Sequence, residues 1–178
     1  MKRTMHIITA ILLLIFGISL FFCLHTNSEA WKTVTISVGV TLYHFAMRLA
    51  VGFVVNQKFH NNVDYTVKWF QQKAFEPRLY RFFEIKKWKN HIPTYDNDAF
   101  NIKSRSLEEI IGAGCQAEIV HENIMALSFV PMLMIPLFGA PTVFVITSIL
   151  AAVFDSVFVI LQRFNRPRLI KILNKARK

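Results

Sequence analysis

Residues 141–168 read PTVFVITSILAAVFDSVFVILQRFNRPR. The run Pro141–Leu161 carries one charge, Asp155, and then Arg163, Arg166 and Arg168 follow at once. An apolar helix of about 18 residues or more is long enough to cross the hydrocarbon core of a bilayer. Three more runs of this kind occur, Ile7–Leu24, Thr33–Val55 and Ile119–Phe138. The expected fold is therefore all-α: one polytopic membrane domain with four transmembrane helices. Segment 56–118 is left between the second and third, and a basic tail, 162–178, follows the fourth.

Composition agrees. Apolar residues make up 53% of the 178, the mean hydropathy is +0.37 and the pI is near 9.9. Lys2 and Arg3 ahead of an apolar run also suit a signal peptide, but Leu24-His25-Thr26-Asn27 has no small-x-small cleavage site, so a retained helix is expected. Charge sets the orientation. Segment 56–118 holds ten Lys/Arg and eight Asp/Glu, and the tail holds seven Lys/Arg and no acid. The loops 26–32 and 139–140 are nearly uncharged. By the positive-inside rule both termini and segment 56–118 are cytoplasmic, in a multi-pass protein of the plasma membrane. A net charge of +10 points to anionic lipid or phosphate-bearing substrates as partners. Nucleic acid is not expected, since no recognition motif accompanies the charge. Cys23 and Cys115 fall on opposite sides of the bilayer, which excludes a disulfide.

Residues 63–88, VDYTVKWFQQKAFEPRLYRFFEIKKW, interleave rings with cations. This pattern suits a helix lying in the headgroup layer and split at Pro77. A loop is expected over His91–Lys103. Ser106-Leu-Glu-Glu109 has capping-box spacing and marks a helix start, from which the chain runs into the third crossing; Pro131 and Pro136 should kink or break that crossing.

Polar groups inside apolar runs need a reason. His44 and Arg48 lie four residues apart, on one helix face. Arg48 and Asp155 sit at similar depth from the cytoplasmic ends of their runs, so they are expected to face each other or share a polar cavity. His44, Arg48 and Asp155 are candidate substrate-binding residues; the alternative is a structural ion pair. Glu118 and His121 share a face three residues apart. An imidazole can take a proton from an alcohol near neutral pH, and a neighbouring carboxylate can orient it. Glu-x-x-His also occurs in di-metal bundles, but the second copy such a site needs is missing, so no metal is expected. Gln162, Arg163, Asn165, Arg166 and Arg168 follow the fourth run. Guanidinium forks suit phosphate, and the two amides exceed what a stop-transfer signal requires. Lys87, Trp88 and Lys89 repeat that logic on the central segment.

Lys87-Trp88-Lys89, Ala117-Glu118-x-x-His121 and Gln162-Arg163-Phe164-Asn165-Arg166-Pro167-Arg168 together resemble the glycosyl-4,4′-diaponeurosporenoate acyltransferase family, over roughly residues 83–173. The resemblance implies transfer of an acyl group from an activated donor to a hydroxyl, often of a sugar on a lipid. On that reading His121 is the general base and Glu118 orients it. Asn165 and Arg166 stabilise the oxyanion or hold the donor phosphate. Lys87 and Lys89 bind donor phosphates, with Trp88 between them, and Gln162, Arg163 and Arg168 bind lipid or donor phosphate. No bound cofactor is expected. The donor is an acyl-CoA or acyl-carrier protein, and the acceptor a lipid-linked hydroxyl. Cys115 as an acyl-thioester nucleophile is a secondary variant, lacking an evident activating base. The rivals are a non-catalytic lipid-binding or scaffold subunit and a small transporter using His44, Arg48 and Asp155 as a relay.

Overall fold

The computed structural model describes residues 2–26, 28–92 and 98–177, with backbone only at Asn90. The described residues are helical or irregular, with no strand. Four helical stretches are long and apolar enough to cross a membrane: Lys2–Thr26, Glu29–Phe59, Leu107–Phe138 and Pro141–Ala176. The helices are α1 Lys2–Thr26, α2 Glu29–Phe59, α3 Glu76–Phe82, α4 Ile85–Trp88, α5 Leu107–Leu127, α6 Ile135–Phe138 and α7 Pro141–Ala176. The chain divides into two compact units. One comprises Val54–Glu122 and Ser156–Lys178, the other Lys2–Phe53 and Asn123–Asp155.

In the second unit, α1 is apolar around its whole circumference, and Ser19 is its one buried residue. A helix of that kind suits lipid rather than water. It meets α2 through Phe22, stacked on Trp31 at 4.8 Å, and through Phe16, whose ring lies over Gly39. Arg48 and Asp155 form the expected ion pair, Nη2 to Oδ2. Arg48 also donates to the carbonyls of His44 at 3.0 Å and Ala151 at 3.5 Å. Tyr43 donates to the Leu127 carbonyl at 2.9 Å, where α5 has just ended. Beyond Leu127 the third stretch becomes a tight 3₁₀ segment, Val130–Met134, and then α6. Pro131 and Pro136 each open one of these pieces, so the expected break is present. Gly139 and Ala140, both with positive φ, turn the chain into α7, which opens on Pro141.

In the first unit, α5 starts at the expected capping box. Ser106 N–H donates to Glu109 Oε2 at 2.8 Å, and Glu109 N–H donates to Ser106 Oγ at 3.2 Å. α5 and α7 run antiparallel: Arg177 pairs with Glu108, Arg163 with Glu118, and Phe158 stacks on His121. Val63, Phe70, Ile111, Cys115 and Leu173 form one core cluster, and Tyr80, Ile85 and Phe164 a second.

One expectation about this unit is corrected. Residues 63–88 do not form a helix split at Pro77. His60 and Asn61 take positive φ and end α2. The chain then runs as turns, with one 3₁₀ turn at Lys68–Phe70, up to α3. Asp64 accepts from the N–H and hydroxyl of Thr66, a local bond that competes with helix. Pro77 sits in the first turn of α3, where its missing N–H costs nothing, and so it begins a helix. The basic residues after Leu161 lie on α7, which continues through Pro167 to Ala176. The loop expected over His91–Lys103 falls partly on 93–97, outside the described residues.

Gly112 lets the chain after α2 lie on α5: a Cβ there meets the carbonyl oxygens of Asn61 at 3.0 Å and Val63 at 3.3 Å. Gly17 faces open space. Gly112→Ala is expected to lower stability by about 1–3 kcal/mol through overpacking against backbone. Gly17→Ala should raise it by about 0.5–1 kcal/mol through helix propensity. Thermal unfolding of the two variants in one detergent checks the contrast, and equal shifts contradict it.

Candidate active site

Glu118 is fully buried on α5. Its Oε1 accepts from Arg163 Nη1 at 2.6 Å, and its Oε2 accepts from Arg166 Nη2. Arg163 also reaches Glu76 at the start of α3, Nε to Oε1 at 2.7 Å. The other oxygen of Glu76 accepts from the Tyr80 hydroxyl at 2.9 Å. Two carboxylates and two guanidiniums thus close a neutral network between α3, α5 and α7. Burying charges is tolerable only when they are paired and their remaining hydrogen bonds are made. Most of these are. Arg166 donates to the Phe70 carbonyl at 2.8 Å, and Arg163 to the carbonyls of Trp69 at 3.3 Å and Gln71 at 3.4 Å. Arg166 also lies over the Phe70 ring, 4.9 Å from its centroid.

Of the residues expected to act together, Glu118, Arg163 and Arg166 are brought into contact. Both Glu118 oxygens are taken by guanidiniums, so the carboxylate expected to serve His121 is held by arginines. Arg166, 3% exposed, faces inward. His121 lies one turn along α5, half-buried, its ring parallel to Phe158 with centroids 4.6 Å apart. Next to it, Glu122 accepts from Trp69 Nε1 at 3.0 Å. Phe158, Gln162 and Asn165 recur at helical spacing on one face of α7, and Gln162 Oε1 lies against Gly114 of α5. Asn165 is two turns, about 10 Å of helix rise, from Phe158, while Gln162 is one turn away.

The other candidates are dispersed. Lys87 pairs with Glu84 at 2.5 Å, both exposed. Trp88 donates to the Phe83 carbonyl at 2.8 Å and packs on the second core cluster. Lys89 and Arg168 both lie over Phe164, with Nζ 5.8 Å and Cζ 4.1 Å from the ring centroid. His44, Arg48 and Asp155 belong to the other unit, where both ring nitrogens of the buried His44 lack partners. Cys115, the secondary candidate, is fully buried in the core beside Arg166.

Sequence reasoning missed Glu76, Tyr80 and Phe164. Phe164 stood inside the Gln162–Arg168 motif and was passed over because it carries no charge. Glu76 and Tyr80 bond each other four residues apart, but what ties them to the network, Arg163 and Phe164, lies 87 and 84 positions away and leaves no local signal.

A family model described as glycosyl-4,4′-diaponeurosporenoate acyltransferase matches residues 66–175, more than half of the chain. The chain belongs to this acyltransferase family. No curated protein and no solved structure matches it. The match supports acyl transfer of the carotenoid glycosyl ester type, and it spans every member of the Glu76–Glu118–Arg163–Arg166 network.

Two predictions follow from this geometry in the acyltransferase. Glu118→Leu alone strands the buried Arg166, leaving two guanidiniums to one acid, and should cost about 3–5 kcal/mol, whereas Glu118→Leu with Arg166→Met leaves the balanced Glu76–Arg163 pair and should cost clearly less. Chemical denaturation of single and double variants measures this, and additive losses contradict it. Tyr80 has its pKa raised above the usual 10.0, first by burial and then by its bond to Glu76. The native state therefore keeps this proton where the unfolded chain releases it. The contribution to stability is whole below pH 10 and is lost as pH rises towards the folded value. Tyr80→Phe should be less stable at pH 8, with a shallower fall above pH 10, in melting curves taken across that range.

Proposed function

We propose that this chain transfers a fatty acyl group from an acyl-CoA or acyl-carrier-protein thioester to a hydroxyl of a lipid-linked acceptor, a glycosylated carotenoid or related glycolipid. The observation that carries the reading is the family match across residues 66–175. In this reading the four apolar helices span the plasma membrane. Both termini and segment 56–118 face the cytoplasm, in keeping with the Lys/Arg excess there. The lipid acceptor then arrives laterally and the donor from water.

His121 is the general base. Stacking on Phe158 fixes its ring plane, and imidazole is the side chain most often used as a general base. Its Nε2 or Nδ1 takes the acceptor's hydroxyl proton while the oxygen attacks the thioester carbonyl; the C–S bond then breaks, and the departing thiolate takes that proton back from the imidazolium to leave as the free thiol. Gln162, one turn from Phe158, is the nearer amide to donate to the oxyanion, and Asn165 lies further along the same face. Glu118, Arg163 and Arg166 act as positioning residues: they hold α5 and α7 in the register that sets His121 opposite Phe158. A scaffold subunit needs no such base, and it is the reading to be excluded.

Lipid mass spectrometry of cells with and without the chain tests this. An acylated glycolipid should depend on the chain. His121→Ala should lower its rate of formation by about 10²–10⁴. His121→Phe keeps a ring on Phe158 and should be as inactive while the protein stays as abundant. Unchanged products with either variant overturn the assignment of His121.

A further inference from the structure

Five cationic or amide side chains of the Gln162–Arg168 motif invite reading as one anion clamp, but the structure separates them. Arg163 and Arg166 turn inward and are neutralised by Glu76 and Glu118. Arg168 turns outward and is exposed. It lies over the Phe164 ring, and Lys89, 79 positions earlier in the chain, lies over the same ring. The two distances, 5.8 and 4.1 Å from one centroid, cap the separation of the two charges at about 10 Å. Among the described residues no carboxylate pairs with either. The ring is not a loose anchor: Phe164 is 7% exposed, and Tyr80 meets it edge-on at 5.2 Å and 87°. Ile85, Trp88 and Ile160 complete its surroundings.

We propose that Lys89 and Arg168, seated on Phe164, form a binding site for a phosphate or diphosphate group, and that this group belongs to the acyl donor. The proposal rests on the acyl-transfer reading above and deepens it by naming what marks the donor. Like charges gathered on one ring repel each other and gain from a shared anion. A phosphate oxygen accepts from an ammonium or guanidinium at about 2.8 Å. One phosphate with its own width spans much of the permitted gap, and a diphosphate spans all of it. A guanidinium supplies a fork and an ammonium a point charge, which together suit an anion with several oxygens. The same chemistry is offered by an anionic lipid headgroup, so the source has to be separated by experiment.

The full chain, purified in neutral detergent, is titrated calorimetrically with coenzyme A and with pantetheine, which has no phosphate. Coenzyme A should bind at least about 10-fold more tightly than pantetheine. Lys89→Gln and Arg168→Gln should each erase most of that advantage. Lys171→Gln, an exposed charge on the same helix, should not, and it controls for loss of net charge. In a second arm the protein is extracted from membranes rich in phosphatidylglycerol, and the retained lipid is weighed against the Lys89→Gln/Arg168→Gln double variant. Loss of retained phosphatidylglycerol with unchanged coenzyme A affinity overturns the donor assignment and leaves the anion site as a lipid site. If neither ligand responds to the double variant, the site itself is overturned. Because binding is read without turnover, its failure is distinct from failure of acyl transfer: a variant that loses coenzyme A but leaves no chain-dependent acylated lipid to begin with sinks the reaction and keeps the site.

Discussion

A carboxylate with no solvent exposure, clasped by two guanidiniums, sets the constraint on the first unit. Glu118 cannot remain charged in an apolar helix pair unless Arg163 and Arg166 both reach it. That demand fixes the rotation of α7 against α5, since a turn of α7 by one residue would carry both arginines away by 100°. It also draws in the irregular chain ahead of α3. The carbonyls of Trp69, Phe70 and Gln71 belong to no helix ladder, yet each accepts from one of these arginines. Irregular backbone beside an apolar span is tolerated where protein satisfies it. The guanidiniums supply that satisfaction here, so the same two side chains neutralise charge and cap loose backbone.

The consequence for chemistry is a division of labour inside one short motif. Arg163 and Arg166 are taken up by the buried acids Glu76 and Glu118, Gln162 lies against Gly114 of α5, and Arg168 is exposed at the surface. A pair buried and matched one to one with acids cannot also hold a substrate phosphate without stranding Glu118. Arginine-rich spacing alone therefore overstates the number of cations open to a ligand.

Features written in local spacing or in depth were legible from the sequence. The apolar runs gave the four long helical stretches. The Ser106–Glu109 capping box gave the start of α5, and the prolines gave the break after Leu127. The pairing of Arg48 with Asp155 was readable although 107 positions separate them, because two opposite charges at similar positions in long apolar runs have few alternatives. Glu118 did not disclose its partners, for the converse reason. It lies near the end of an apolar run, where water, a histidine or an arginine would each serve, and its partners 45 and 48 positions away leave no local trace. The course of 63–73 was lost because aromatic and basic residues at helical spacing also suit a chain whose helix has been ended by positive φ at His60 and Asn61. Pro167 does not end α7. A proline removes one hydrogen bond from a helix interior, but α7 is held on both sides of it by contacts to α5, and the helix continues.

The buried network and the two cations over Phe164 are joined by a short run of contacts. Arg163 holds one oxygen of Glu76, and the other accepts from the Tyr80 hydroxyl. The Tyr80 ring meets Phe164 edge-on, and Phe164 is the residue after Arg163. The ring under Lys89 and Arg168 is thus fixed from two directions, through its own helix and through α3. A surface ion pair or cation–ring contact alone orders long side chains poorly, because the entropy lost nearly equals the attraction gained. Placing both cations on a buried, closely packed ring removes part of their freedom before any anion arrives. Buried charge, costly where the helices meet, is what makes the exposed charge well placed.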